Sequence, residues 1–207
     1  MDWLLYVVIA ICAYFIGNFQ SGSVVARLFG LKDDIRNHGS GNPGTTNVMR
    51  TLGVVPAVMT FALDVLKAIA ATLIGLWLRG KMGGIVGGVC CVAGHNWPVL
   101  MKFKGGKGMA ASFGAVLLLE PWAALVLFVL QLAILFATRY MSVASLSSAV
   151  LLPILTLILY KGDWALFVFA ALLSVMAIYC HRSNLKRLRE GKENRMDFSH
   201  LPHAKMK

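Results

Sequence analysis

The sequence predicts an all-α integral membrane protein: seven transmembrane helices in one domain over residues 1–207, N-terminus outside and C-terminus cytoplasmic. Three observations predict it. Apolar runs of about twenty residues, the length of a bilayer span, recur along the chain. The composition is 58% hydrophobic and 14% charged, where soluble domains are about 45–50% apolar and 25% charged. The basic residues fall in blocks between alternate apolar runs, the signature of cytoplasmic loops.

The first run, 3–29, follows Met1-Asp2-Trp3 with no basic stretch ahead of it, so it reads as a retained span and not a cleaved signal. Its second half carries Gly17, Asn18, Gln20, Ser21, Gly22 and Ser23, types that let helices approach closely, or that line a polar mouth. The second run, 54–77, holds Asp64 and Lys67 at its centre. Each would cost about 2.5–3.5 kcal/mol there if unpaired. Three residues apart, they share a helix face. They read as a structural ion pair facing the bundle or as support for a site from behind.

The third run is 83–100. The fourth, 106–119, reaches only about 21 Å against a hydrocarbon core of about 30 Å. The fifth, sixth and seventh are 122–138, 143–160 and 164–180. Fusing the fourth and fifth across Glu120-Pro121 would leave six spans, and the charges decide against it. With seven, the inner face holds Arg27, Lys32, Arg36, Arg50, Lys102, Lys104, Lys107, Arg139 and the basic residues of the tail from Arg182 to Lys207. Only Arg79, Lys81 and Lys161 face outward. With six, the basic tail would lie outside, against the positive-inside rule. Glu120-Pro121 is therefore expected to form a tight external turn, its acid facing solvent. The tail beyond His181 is expected to begin as an interfacial helix and end as a mobile segment.

The net charge of +11 thus belongs to a cytoplasmic membrane face that attracts phosphorylated solutes and anionic head groups, and nucleic acid is not an expected partner. Cys12, Cys90, Cys91 and Cys180 lie within apolar runs and form no C-x-x-C pair, which reads as packing and not as a zinc or redox motif.

Three cytoplasmic segments carry chemistry. Residues 37–50 run NHGSGNPGTTNVMR, a shaped turn whose hydroxyls, amides, backbone N–H groups and arginine suit an anion. Residues 95–108 run HNWPVLMKFKGGKG, a glycine-rich loop entering the short fourth helix, whose free N–H groups and positive dipole end also suit an anion. The Walker A spacing fails, with Met101 and Gly108 at two required positions, so nucleotide hydrolysis is not indicated. Residues 181–193 run HRSNLKRLREGKE, with His181 and Asn184 on one face if the helix continues. There is no aspartate cluster for Mg²⁺ and no His-x-x-x-x-Asp pattern. The reading from residues alone is a phosphate-bearing substrate on one membrane face.

These stretches resemble the bacterial acyl-phosphate:glycerol-3-phosphate acyltransferases, the PlsY family, through GSGNPGTTNVMR (39–50), GHNWPVLMKFKGGKG (94–108) and HRSNLKRLREGKE (181–193), with LDVLK (63–67) and RYMSVAS (139–145) also similar. Thr45 stands where such proteins often carry Ala. The resemblance implies transfer of a fatty acyl group from long-chain acyl phosphate to the 1-hydroxyl of sn-glycerol 3-phosphate, in a bacterial inner membrane, without metal or other cofactor. It places the catalytic residues on Ser40, Arg50, Lys107, His181 and Asn184. It places substrate binding on Gly105, Gly106 and Gly108 and structural support on Glu193; the residues themselves add Asn42, Asn47, Lys104 and Ser142 to substrate binding and Asp64 and Lys67 to support.

On this reading Arg50, Lys104 and Lys107 neutralise phosphates while Ser40 and loop N–H groups donate. His181 or the phosphate of glycerol 3-phosphate takes the hydroxyl proton. Direct transfer is favoured over an acyl-serine. A transporter or channel for a phosphorylated anion is the competing class, and a membrane scaffold a third.

Overall fold

The computed structural model describes residues 2–196, and among these every regular element is helical. The last basic residues, Lys205 and Lys207, lie outside them. Helix α1 (Asp2–Asn18) is followed by α2 (Ser21–Leu28), a polar turn, α3 (Thr45–Leu52) and the long α4 (Val54–Asn96). Then come α5 (Met109–Leu119), α6 (Pro121–Thr138), α7 (Met141–Leu159), α8 (Trp164–Cys180) and α9 (Arg182–Arg189). Among the described residues four stretches are long and apolar enough to cross a membrane: Trp3–Leu28, Val54–Met101, Pro121–Thr138 and Met141–Leu159. Counting α8 with α9, bent by 55°, makes five. Their outward faces are apolar, with Trp77, Phe136 and Val175 at 85%, 65% and 65% exposure, as a lipid-facing bundle requires.

Helix α4 is two antiparallel limbs. The chain reverses at Arg79 and Gly80, whose backbone angles are non-helical, Gly80 at φ +56°. The limbs touch backbone to backbone: a Cβ on Gly75 would fall on the Gly83 carbonyl, and one on Gly87 on that of Ala71. Small residues permit this approach, which dispersion and not hydrophobic exclusion drives inside lipid.

Two expectations need correcting. The first run is not one helix. It breaks at Phe19-Gln20, where the Phe19 carbonyl accepts from Lys67 Nζ (2.6 Å) and Gln20 Nε2 donates to the His95 carbonyl (3.3 Å). The polar half of that run therefore ties α1 and α2 to α4. Glu120 does not face solvent. It is fully buried, caps the junction of α5 and α6, and accepts from the Thr156 hydroxyl (2.5 Å), since a buried carboxyl needs a donor.

Candidate active site

The three polar segments meet at one end of the bundle around a cavity of about 280 Å³. Its mouth is built by the turn before α3 and the first turn of that helix (Ser40, Asn42, Thr45, Thr46, Asn47), Arg50 in its last turn, the loop before α5 (Lys107, Gly108) and the junction of α8 with α9 (His181, Asn184), with Glu193 beyond. Its depth is mainly apolar, lined by Phe61, Phe113, Val116, Leu127, Phe128 and Leu152, with serine hydroxyls of α5, α7 and α8 among them. The N-termini of α3 and α5 both open onto it, and first-turn N–H groups have no intrahelical acceptor.

The mouth is an ordered hydrogen-bond chain. Lys107 Nζ donates to Asn184 Oδ1 (2.5 Å). Asn184 Nδ2 donates to Glu193 Oε1 (2.8 Å), and Arg187 Nε donates to Glu193 Oε2 (2.9 Å). A carboxylate only accepts, so Glu193 fixes which way the Asn184 amide points and turns its oxygen to the lysine. Burial, with repulsion from Arg187, lowers the Lys107 ammonium to about 8. His181 is 3% exposed, and its Nδ1 lies 2.7 Å from the Ala177 carbonyl. A carbonyl only accepts, so Nδ1 carries the proton and Nε2 is bare. Burial, then the nearby Lys107 charge, lowers His181 to about 4, and the ring is neutral at neutral pH.

In the first turn, Asn47 Oδ1 accepts from the Ser40 N–H (2.7 Å) and hydroxyl (3.2 Å), while its Nδ2 donates to the Ile35 and His38 carbonyls (3.2 and 2.9 Å). Arg50, at the accessible edge, donates to the Asn194 carbonyl (3.2 Å). The segment after α9 returns across this edge, its Met196 N–H donating to the Arg139 carbonyl (2.7 Å). A cationic, donor-rich mouth over an apolar depth suits an anionic head on an apolar chain.

The profile of the family described as glycerol-3-phosphate acyltransferase matches residues 7–191. The chain belongs to the glycerol-3-phosphate acyltransferase family. It is 42% identical to the glycerol-3-phosphate acyltransferase of Alkaliphilus metalliredigens over 93% of this chain and 97% of that one. Among solved structures it is similar to the glycerol 3-phosphate form of PlsY, an integral membrane glycerol 3-phosphate acyltransferase. The TM-score is 0.86 at 36% identity, covering 93% of this chain and 96% of that chain. The lysophosphatidic acid form of PlsY gives a TM-score of 0.84 at 35% identity.

Of the residues expected in this family site, the cavity gathers Ser40, Asn42, Asn47, Arg50, Lys107, Gly108, Ser142, His181, Asn184, Asp64 and Glu193. Lys104 stands apart: it is exposed and, with Gly105, borders a separate surface hollow beside Arg36 and Lys102. Gly105 and Gly106 are not on the cavity wall and pack on the His95–Pro98 backbone and the His95 ring. Lys67 lies behind, bonded to Asp64 (2.8 Å). Asn47 borders the cavity, but both ends of its amide are spent within the loop.

Thr45, Ser112, Ser145, Ser148 and Arg187 contribute without having been singled out in the sequence. Thr45 and Ser112 line the cavity with buried hydroxyls that, like that of Ser142, have no partner among the described residues. Ser142, Ser145 and Ser148 form a hydroxyl line down one face of α7, and their i, i+3, i+6 spacing was the available signal. Arg187 was hidden among the basic residues of the tail, where only its bond to Glu193 distinguishes it.

Proposed function

We propose that this chain is a multi-pass acyltransferase of a bacterial inner membrane, with seven spans, N-terminus outside and active site facing the cytoplasm. It moves a fatty acyl group from acyl phosphate to the 1-hydroxyl of glycerol 3-phosphate. The products are lysophosphatidic acid and inorganic phosphate. The observation that carries the reading is the single cavity joining a cationic mouth to an apolar depth, which matches two phosphates meeting at the root of one acyl chain.

Acyl phosphate is a mixed anhydride with a good leaving group, so positioning and charge stabilisation are the main tasks. Arg50 and Lys107 neutralise the phosphates. Ser40, Ser142 and the first N–H groups of α3 and α5 donate to phosphate and carbonyl oxygens. Lys104, outside the cavity, guides anions to the face and does not hold the reacting ones. The bare Nε2 of His181 accepts the glycerol hydroxyl and aims its oxygen at the acyl carbon. The hydroxyl's single proton passes to that Nε2 as its oxygen attacks, and the ring, lowered to about 4, hands it on to the departing phosphate, the stronger base. The chain lies along Phe61, Phe113 and Phe128, whose rings stack at 6.1 and 5.4 Å across α4, α5 and α6.

The test is purified protein given labelled glycerol 3-phosphate and acyl phosphate, then the same protein in sealed vesicles. Lysophosphatidic acid formed with one phosphate released per turnover is the expected result. Uptake of label without acylation would make it a transporter instead.

A pH dependence follows. Lys107 titrates near 8 in the free protein, and only its charged form neutralises phosphate. kcat/KM for glycerol 3-phosphate is expected to fall as pH rises through about 8, because kcat/KM reports the free enzyme. Lys107→Arg keeps the charge at all accessible pH and should move that limb upward. A limb unmoved by the substitution would assign it to another group.

A further inference from the structure

His95 has no place in the chemistry above, yet it is 4% exposed and sits where two parts of the molecule join. On one side its Nδ1 lies 2.8 Å from Lys67 Nζ and 3.3 Å from Asp64 Oδ1. Lys67 also donates to the Phe19 carbonyl (2.6 Å) and pairs with Asp64 (2.8 Å), and Asp64 accepts from the Ser21 hydroxyl (2.8 Å). An ammonium has three protons and no acceptor. Phe19, Asp64 and His95 consume all three, which makes Nδ1 an acceptor. On the other side the ring meets the glycine-rich loop. The Gly106 N–H donates to the His95 carbonyl (3.0 Å), which also accepts from Gln20 (3.3 Å). A Cβ built on Gly106 would fall on His95 Nε2, and the next nearest atoms are also of that ring. The residue after Gly106 is Lys107.

We propose that His95 is a positioning residue: clamped from behind by the buried Lys67–Asp64 pair, its ring is the surface on which Gly106 rests, and so it sets where Lys107 stands in the cavity. This gives the ion pair in α4 a task beyond its own burial. Lys67 and Asp64 hold the ring still, and the ring holds the loop. The bare Cα of Gly106 is then required by a particular neighbour, not by backbone freedom. The inference rests on the acyltransferase reading and deepens it, assigning part of the affinity for glycerol 3-phosphate to a residue that does not touch it.

Lys67 and Asp64 are poor probes, since removing either leaves a buried charge unpaired. His95 and Gly106 are better ones, because the contact predicts a non-additive pair. His95→Asn keeps an oxygen to accept from Lys67 but withdraws the ring, and His95→Ala withdraws both. Each is expected to raise KM for glycerol 3-phosphate roughly 10- to 100-fold, the scale of a misplaced binding group, with KM for acyl phosphate changing much less. Gly106→Ala should be as harmful alone, but in the His95→Asn or His95→Ala background it should cost less than about threefold further, because the clash is gone. A general loosening of the fold would not produce that recovery.

Three results overturn the proposal. Gly106→Ala could cost the same factor with and without the ring. KM for glycerol 3-phosphate could stay within twofold in both His95 variants. Both variants could lose their monodisperse fold, which would make His95 a core residue only. The native protein serves as the control: if it forms no lysophosphatidic acid the functional reading fails, whereas native turnover with an additive pair sinks this inference alone.

Discussion

Replacing Lys107 with alanine is expected to lower kcat/KM for glycerol 3-phosphate by roughly 10²–10³-fold, the loss typical of removing one preorganised donor from a water-poor site. Two effects act together. The cavity loses a half-buried cation where the phosphates gather, and Asn184 Oδ1 loses the donor 2.5 Å away. The amide cannot flip to compensate, because Glu193 holds its nitrogen from the other side (2.8 Å). Lys107→Arg should recover only part of the rate, since a planar fork does not occupy the position of an ammonium. The protein should still insert and purify as a monodisperse species, because Lys107 reaches into the cavity and not into the helix contacts. Steady-state kinetics on both variants checks this, and unchanged kinetics in Lys107→Ala would remove the loop from the site.

Ser40→Ala carries the second large effect, a loss of roughly 10²-fold in kcat on the same scale. The substitution is clean because the loop is held through the Ser40 backbone, whose N–H donates to Asn47 Oδ1 (2.7 Å). The hydroxyl adds only a 3.2 Å bond to that same atom and can turn to the cavity that Ser40 lines. Alanine therefore keeps the loop and deletes the donor, and near-native turnover would demote Ser40 to loop structure. Ser40 is not set up as a nucleophile. The histidine of its own loop, His38, has Nε2 3.6 Å from Asp33 Oδ2, not at the Ser40 hydroxyl. Rapid quench with acyl phosphate and peptide mass spectrometry should find no acylated Ser40; an acylated peptide that forms and decays at the turnover rate would replace direct transfer with a two-step path.

Much of this site was legible because its chemistry is written in residues that apolar segments do not otherwise carry. A glycine-rich loop with a lysine, entering an apolar run (106–119) shorter than the bilayer core, announces an anion site without any knowledge of packing. The pairing of Asp64 with Lys67 was readable from spacing and the cost of burying either alone. What could not be read was how polar residues are shared out once helices meet. Asn47 looks like a substrate ligand by composition, yet four bonds inside its loop consume it. Lys104 and Lys107 are three residues apart in one loop, but the left-handed turn at Lys102 and Phe103, at φ +53° and +59°, precedes a loop that leaves one at the surface and carries the other inward. The break at Phe19 depends on a lysine 48 residues away, and the burial of Glu120 on a threonine 36 residues away. Such long-range partners leave no local pattern, and the role of His95, though that residue opens the second polar segment, was hidden for the same reason.

The active site requires three distant stretches to form one pocket on one side of the lipid. Single cysteines at Lys32, Lys104 and Lys192, all exposed and one beside each stretch, in a chain whose own four cysteines are replaced, test it most directly. A membrane-impermeant maleimide is expected to leave all three unlabelled in intact cells and to label all three in inverted membrane vesicles. Labelling of any one of them from outside intact cells, while the others label only in inverted vesicles, would separate the stretches across the bilayer and contradict the shared pocket.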